Sequence, residues 1–401
     1  MSDDATKVDP LLNKELSSLL VHGGTTRTSF DETCEAIFMT SGYVYKSAEE
    51  AEQAFLQDGK RYVYSRFSNP TVAMFEERLR RVEGAEACLA TASGMAAVTA
   101  AILCQVKTGD RVVASRALFV SCDYILTVIL PRMGVSVELV DGPNLSEWQR
   151  ALSKPTQVVF CESPSNPCLE IIDLPAVAEL AHKAGAQLIV DNVFATPLLQ
   201  RPLEMGADIV VYSATKHIDG QGRCLGGAVL GRKSFISEIL HPYLRNTGPS
   251  LSPFSAWILL KGMETLDLRL ERQCVTAAEV ALTLASNPAI KVVIYPFAEN
   301  HPQRELARRQ MKKGGSLISF DMNGGKDAAF RFLNALNFIR LSNNLGDSKT
   351  LATHPATTTH SRLTPEAREI VGISDGLIRL SVGLESAKDI VDDLTQALKK
   401  S

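Results

Sequence analysis

Between residues 87 and 230, short and mostly apolar runs take turns with helical stretches. The runs fall at 87–90, 111–114, 135–140, 158–161, 188–190, 209–212 and 228–230, and several are rich in β-branched residues. A strand with one face in water alternates apolar and polar residues. A strand that is apolar on both sides needs cover on both, as in a parallel sheet flanked by helices. Strand and helix alternating over about 150 residues therefore predict a doubly wound, mostly parallel α/β domain.

The flanking segments behave differently. Asn69-Pro70, TVAMFEERLRRVE and Gly84 supply, in order, an N-cap, a first-turn proline, a helical period and a C′ glycine. Ahead of them, residues 1–68 keep no sustained period and carry charged stretches such as SAEEAEQAFLQDGK. An arm with so little core of its own is expected to lie on the rest of the chain or on a neighbouring subunit. Beyond about residue 255 comes the long helical stretch LLKGMETLDLRLERQCVTAAEVALTLAS, then the strand-like KVVIYP, SLISFDM and FIRLS, and a final helix, KDIVDDLTQALKK. The expected division is an arm at 1–68, an α/β domain at 69–260 and a smaller α+β domain at 261–401.

Composition excludes several classes of function. Forty-two Lys and Arg against 45 Asp and Glu give a net charge of −3 without a basic tract, so neither nucleic acid nor an anionic membrane is an expected partner. The longest apolar run, 96–106, has about half the length a bilayer requires. The opening MSDDATKVDP lacks the apolar core of a secretory signal. A cytoplasmic protein is expected. Eight cysteines without a C-x-x-C pair do not make a disulfide framework, and His354 and His360 lack helical zinc-site spacing, so no metal is expected.

Three places carry chemistry. In VYSATKHIDGQGR, Ser213, Thr215 and Lys216 follow directly on an apolar run, where α/β sheets place their ligands. Hydroxyls and N–H groups there suit a phosphate. The lysine is either an amine nucleophile or an ordinary solvated side chain. Asp191 ends the run 188–190; it is either a helix cap or the partner of a buried cation such as a pyridinium nitrogen. In ATASGMAAVTAA a small-residue turn opens an Ala-rich helix at Gly94 and Met95, fit for a phosphate or for close packing. A lysine for an aldehyde, an aspartate for a ring nitrogen and a helix start for a phosphate together match pyridoxal phosphate.

The stretches YVYSRFSNPT, ASGMAAV, ESPSNP, IVDNVFATP, VYSATKHIDGQGR, NNLGDSKTLATHPATTTH and IRLSVGLE occur in an order that resembles the Cys/Met-metabolism pyridoxal-phosphate enzymes, over residues 62–385. That family includes cystathionine synthases and lyases, methionine γ-lyases and homoserine-ester sulfhydrylases. KHIDGQGR and NNLGDSKTLATHPATTTH are most similar to the branch acting on O-succinylhomoserine and sulfide. The resemblance implies a fold-type I PLP-dependent transferase and a γ-replacement yielding homocysteine in methionine biosynthesis, with cystathionine synthesis or γ-lysis as the alternatives. It also implies a homotetramer, a dimer of dimers with active sites shared between subunits.

Carried over by position, Lys216 is the cofactor-linking lysine and proton carrier, and Asp191 faces the pyridine nitrogen. Gly94, Met95, Ser213 and Thr215 hold the phosphate, joined by Tyr64 and Arg66 from the adjacent subunit. Arg379 clamps the substrate carboxylate, and Asn166 lies beside ring and substrate. Two positions depart from the family pattern. Phe119-Val120-Ser121 stands where many relatives have Tyr-Gly-Gly-Thr, so Phe119 can stack on the ring but has no hydroxyl. Asn344 replaces a serine before Leu-Gly, where its amide could still fix the carboxylate and ring face. A succinyl tail wants a cation, for which Arg116, Arg223 and Lys349 are candidates of equal standing.

Overall fold

The computed structural model describes residues 11, 13–56 and 61–401. The opening MSDDATKVDP and the end of SAEEAEQAFLQDGK lie outside the described residues. The helix Pro70–Glu83 starts and stops where its sequence dictates. The side chain of Asn69 accepts the Thr71 N–H at 2.9 Å, and Gly84 closes the helix at φ 82°, a left-handed backbone that favours glycine.

Seven strands then form the larger sheet: β1 (Ala87–Thr91), β2 (Arg111–Ser115), β3 (Ser136–Val140), β4 (Val158–Glu162), β5 (Gln187–Asp191), β6 (Ile209–Ser213) and β7 (Gly227–Gly231). Their order is β1-β7-β6-β5-β4-β2-β3. Each pair from β3 across to β6 is parallel, whereas β7 runs antiparallel to both β6 and β1. The reversal has a simple cause: no helix crosses over between β6 and β7. The segment 214–226 turns at the sheet edge instead, and a parallel return would need a crossover. Apolar clusters cover both faces, with Val112, Phe160 and Ile189 on one side and Val113, Val159 and Leu188 on the other. That two-sided burial is why the inner strands β4, β5 and β6 are almost continuously apolar, whereas the edge strand β3 carries Ser136 and Glu138.

The helical stretch after Phe119 is not one regular helix. Val120–Tyr124 is α-helical, Ile125–Ile129 widens to a π-helix, and Leu130–Arg132 resumes the α form. Pro131, which has no N–H for the ladder, stands at this change.

The second sheet, in the order β10-β11-β12-β9-β8, is built from β8 (Ile290–Ile294), β9 (Leu317–Met322), β10 (Arg340–Leu341), β11 (Leu351–Thr353) and β12 (Leu377–Ser381). The helical stretch before it is two helices, Pro253–Met263 and Leu266–Ala285. The second of these joins two cores. Leu266, Leu270 and Cys274 pack with the first sheet's cluster, and Ala277, Val280 and Leu284 with that of the second.

Part of the arm is tied to this body. The helix Leu16–His22 buries Leu20, and the buried Arg78 donates to the Gly23 carbonyl (2.8 Å) and to Glu35 (2.6 Å). Lys261 also bonds Glu35. Further along, Met39, Val44, Phe55 and Leu56 are exposed. No helix among the described residues is long and apolar enough to cross a membrane.

Candidate active site

The carboxyl ends of β4, β5 and β6 open onto one cavity of about 240 Å³, which the second sheet closes from the far side. Gly94, Met95, Phe119, Asn166, Asp191, Ser213, Thr215, Lys216 and Arg379 line it. These residues are brought together from six separate stretches of sequence.

The helix Gly94–Leu103 starts at the cavity wall. Ser93 caps it by accepting the Ala96 N–H at 3.2 Å. The N–H groups of Gly94 and Met95, in the first turn, have no acceptor within the helix. Gly94 is required by packing: a Cβ there would stand 2.4 Å from the Cβ of Ser213. The missing side chain lets the positive end of the helix lie against the end of β6. The Thr215 hydroxyl is held by Gly226, accepting its N–H at 3.0 Å.

Lys216 lies a few residues past β6 with its Nζ 2.7 Å from Asn344 Oδ1. Its only described hydrogen-bond partner is thus a neutral amide. Burial, and next the neighbouring Arg379 charge, bring its pKa down to about 8. Desolvation disfavours the ammonium, and a second cation adds to the effect.

Arg379 is fully enclosed on β12. It donates to Asn166 Oδ1 at 2.8 Å and to the carbonyls of Asn343 and Asn344 at 2.9 and 3.3 Å. Its Nε is a buried donor without a partner among the described residues. A guanidinium held by neutral acceptors, with one donor spare beside a cavity, is placed to take a carboxylate.

Asp191 accepts the Val193 N–H at 3.0 Å, and burial raises its pKa to about 7. Glu162, at the end of β4, lies beside it, and both lack an ion-pair partner among the described residues. The cavity thus has a buried acidic floor and a cationic side, with Phe119 on its wall. Pyridoxal phosphate fits this donor set on the structure's own terms. A protonated ring nitrogen supplies the cation the acids lack, and the helix start and hydroxyls suit the phosphate.

Other residues lie elsewhere. Tyr64 and Arg66 do not line the cavity of their own chain. Tyr64 is 41% exposed, and Arg66 bonds the Arg245 carbonyl while stacking near Phe67. Arg116, Arg223 and Lys349 also stay outside it, each in an ion pair, with Glu147, Asp219 and Asp347 respectively. Glu162, Asn343 and Thr359 line the cavity without having been singled out from the sequence. Glu162 had a legible signal, since it ends the apolar run of β4 just as Asp191 ends that of β5.

A mostly parallel sheet with a buried lysine and aspartate at its carboxyl edge, closed by a second sheet, is the architecture of fold-type I pyridoxal-phosphate enzymes. Comparison with known proteins narrows this class. The chain belongs to the Cys/Met metabolism PLP-dependent enzymes, whose family model matches residues 17–399. It is 52% identical over 382 residues to an O-succinylhomoserine sulfhydrylase of Mycobacterium tuberculosis, covering 94% of each chain. It is 42% identical over 388 residues to an L-methionine gamma-lyase of Fusobacterium nucleatum, covering 96% of this chain and 98% of that one. Among solved structures it superposes with a TM-score of 0.92 on a Campylobacter jejuni chain assigned as an O-acetylhomoserine (thiol)-lyase. That chain carries N′-pyridoxyl-lysine-5′-monophosphate; the identity is 31%, and 96% of this chain and 100% of that one are covered.

Proposed function

We propose that this enzyme replaces the succinyloxy group of O-succinylhomoserine with sulfide, releasing homocysteine and succinate. The γ-carbon loses its bond to the acylated oxygen and gains one to sulfur. The observation that carries the assignment is the convergence of Lys216, Asp191 and Arg379 on one cavity. The 52% identity to a sulfhydrylase of that substrate supports the choice within the family.

Bound in this cavity, pyridoxal phosphate supplies an electron-withdrawing ring that acidifies the carbons next to the substrate amine. Asp191 faces its ring nitrogen and favours the protonated form. Two unit charges about 4 Å apart attract by about 4 kcal/mol at an effective dielectric of 20, before desolvation is subtracted. The N–H groups of Gly94 and Met95 and the hydroxyls of Ser213 and Thr215 take the phosphate. Arg379 holds the substrate α-carboxylate through the spare Nε and its neighbouring Nη. Lys216, once free, accepts the Cα proton at Nζ, and a pKa near 8 keeps a useful neutral fraction at neutral pH. Asn344 holds that amine between transfers.

Phe119 stacks on the ring without taking part in proton transfer. No phenol stands at that place, so acid–base work falls to Lys216. Tyr64 and Arg66 complete the phosphate site of an adjacent subunit in a homotetramer of paired dimers. The exposed Phe30 and Val44 on the same arm support a covering neighbour, since each is 88% exposed in the single chain. The assembly works in the cytoplasm. A γ-lyase activity is the second reading, favoured by the methionine γ-lyase relatives.

Steady-state kinetics with O-succinyl- and O-acetylhomoserine, each with sulfide or cysteine, tests the assignment. Homocysteine from the succinyl ester and sulfide is expected as the fastest product. Cystathionine, or ammonia and a 2-oxo acid, as the main product would replace it with one of the alternatives.

A further inference from the structure

β4 and β5 run parallel and in register, so Glu162 at the end of one stands directly beside Asp191 at the end of the other. Glu162 is buried and Asp191 partly so, and their carboxyl oxygens and the Cys122 Sγ lie within 4.8 Å of one another. Glu162 accepts the Phe119 N–H at 2.9 Å through Oε1 and the Asn166 N–H at 3.3 Å through Oε2. It thereby holds both the segment that carries the aromatic wall and the loop that carries the partner of Arg379. The titratable groups around the pair are the buried Cys122, with Asp123 behind it, and the buried Cys161 and Tyr212 on β4 and β6; none brings positive charge. Two carboxylates this close, with at most one ring cation to share, do not both ionise.

We propose, on the footing that Asp191 faces the ring nitrogen, that Glu162 is a positioning residue acting through Asp191. It remains a neutral carboxylic acid, so the pair presents one negative charge to one ring N–H, while its two accepted bonds fix Phe119 and Asn166 on either side of the ring. Burial, and then the Asp191 charge, push the Glu162 carboxyl well above the usual carboxylate range, in keeping with this role. Asp191, the less buried of the two and the one placed toward the ring nitrogen, is the member that carries the charge; the two N–H groups that Glu162 accepts oppose its burial without outweighing it. The division resembles that of two carboxyl groups whose surroundings drive their pKa values apart.

The test uses Glu162→Gln, Glu162→Ala and Asp191→Asn in the full chain. An amide resembles the neutral acid in shape and charge, and its single oxygen keeps one of the two accepted bonds. Glu162→Gln should therefore weaken pyridoxal phosphate binding by no more than about threefold, less than Glu162→Ala, and leave the absorbance of the bound cofactor unshifted. The infrared difference spectrum, wild type minus Glu162→Gln at neutral pH, should contain a protonated-carboxyl carbonyl band. Glu162→Ala should weaken cofactor binding at least about tenfold and shift the absorbance, because Phe119 and Asn166 lose their anchor.

Absence of the carboxyl band overturns the proposal, as does a Gln variant impaired as far as the Ala variant or an Ala variant equal to wild type. If Glu162→Ala does not fold, the band and the Gln variant still decide. Asp191→Asn with unchanged affinity and spectrum would instead sink the placement of Asp191 at the ring nitrogen, whatever the Glu162 variants show.

Discussion

Lys216 owes its chemistry to the groups around it. Among the described residues no carboxylate pairs with it, so the ammonium gains nothing from burial, and Arg379 repels it. The same isolation means that little of the fold depends on it. Lys216→Ala should fold, with a far-ultraviolet circular dichroism spectrum like that of wild type. Its homocysteine production should drop by about 10³-fold or more, the scale of a lost proton-transfer group. Turnover near the wild-type rate would end its candidacy. That Lys216 and Asp191 belong to one site was legible because each ends or follows an apolar run, whereas Arg379 entered only through the resemblance of IRLSVGLE. The bond from Lys216 to Asn344 was not legible, because 128 positions separate the two residues. No local period reports such a contact. The candidates for the succinyl cation show the same limit, since the carboxylates that occupy Arg116, Arg223 and Lys349 are known only once the chain has folded.

Among the elements, the contact between the helix Gly94–Leu103 and β6 sets the geometry of the proposed phosphate site. The would-be Cβ of Gly94 meets both the Cβ and the Cα of Ser213, so a side chain must push the helix start away from the strand end. Gly94→Ala is therefore expected to weaken pyridoxal phosphate binding at least about tenfold, measured by equilibrium dialysis, with the bulk of the secondary structure intact. Unchanged affinity would show that the helix start does not hold the phosphate. At this scale the sequence was most readable where one residue has one task, as with Asn69, Pro70 and Gly84 around their helix. It was least readable in direction. An apolar run at 228–230 announces a buried strand, but the antiparallel course of β7 depends on the turn at 214–226 having no crossover helix. The π-helical Ile125–Ile129 was equally hidden, since its side-chain pattern is close to that of an ordinary helix.

The molecule as a whole carries buried acids whose ionisation links folding to pH, and Glu83 is the clearest. Burial raises its pKa from 4.5 to about 8, and the Tyr212 hydroxyl donates to it. Between those values the folded chain keeps the proton that the unfolded chain releases. The folded state binds more protons there, so stability should fall as pH rises through that window and level off above it. Glu83→Gln fixes the neutral form and should flatten this slope in denaturant titrations; an unaltered slope would show that Glu83 does not titrate as described. Assembly is tested at the same scale. The cavity closes around Lys216 of its own chain, while Arg66 of that chain lies outside it. If each proposed site takes Lys216 from one subunit and Arg66 from its neighbour, Lys216→Ala and Arg66→Ala are each inactive alone. In a mixed dimer, one of the two sites keeps both native residues. Unfolding and refolding the two variants together should then restore about a quarter of wild-type activity, since half of the dimers are mixed and half of their sites are intact. Sites confined to one chain give no recovery, because Lys216 and Arg66 then never meet in native form within either variant.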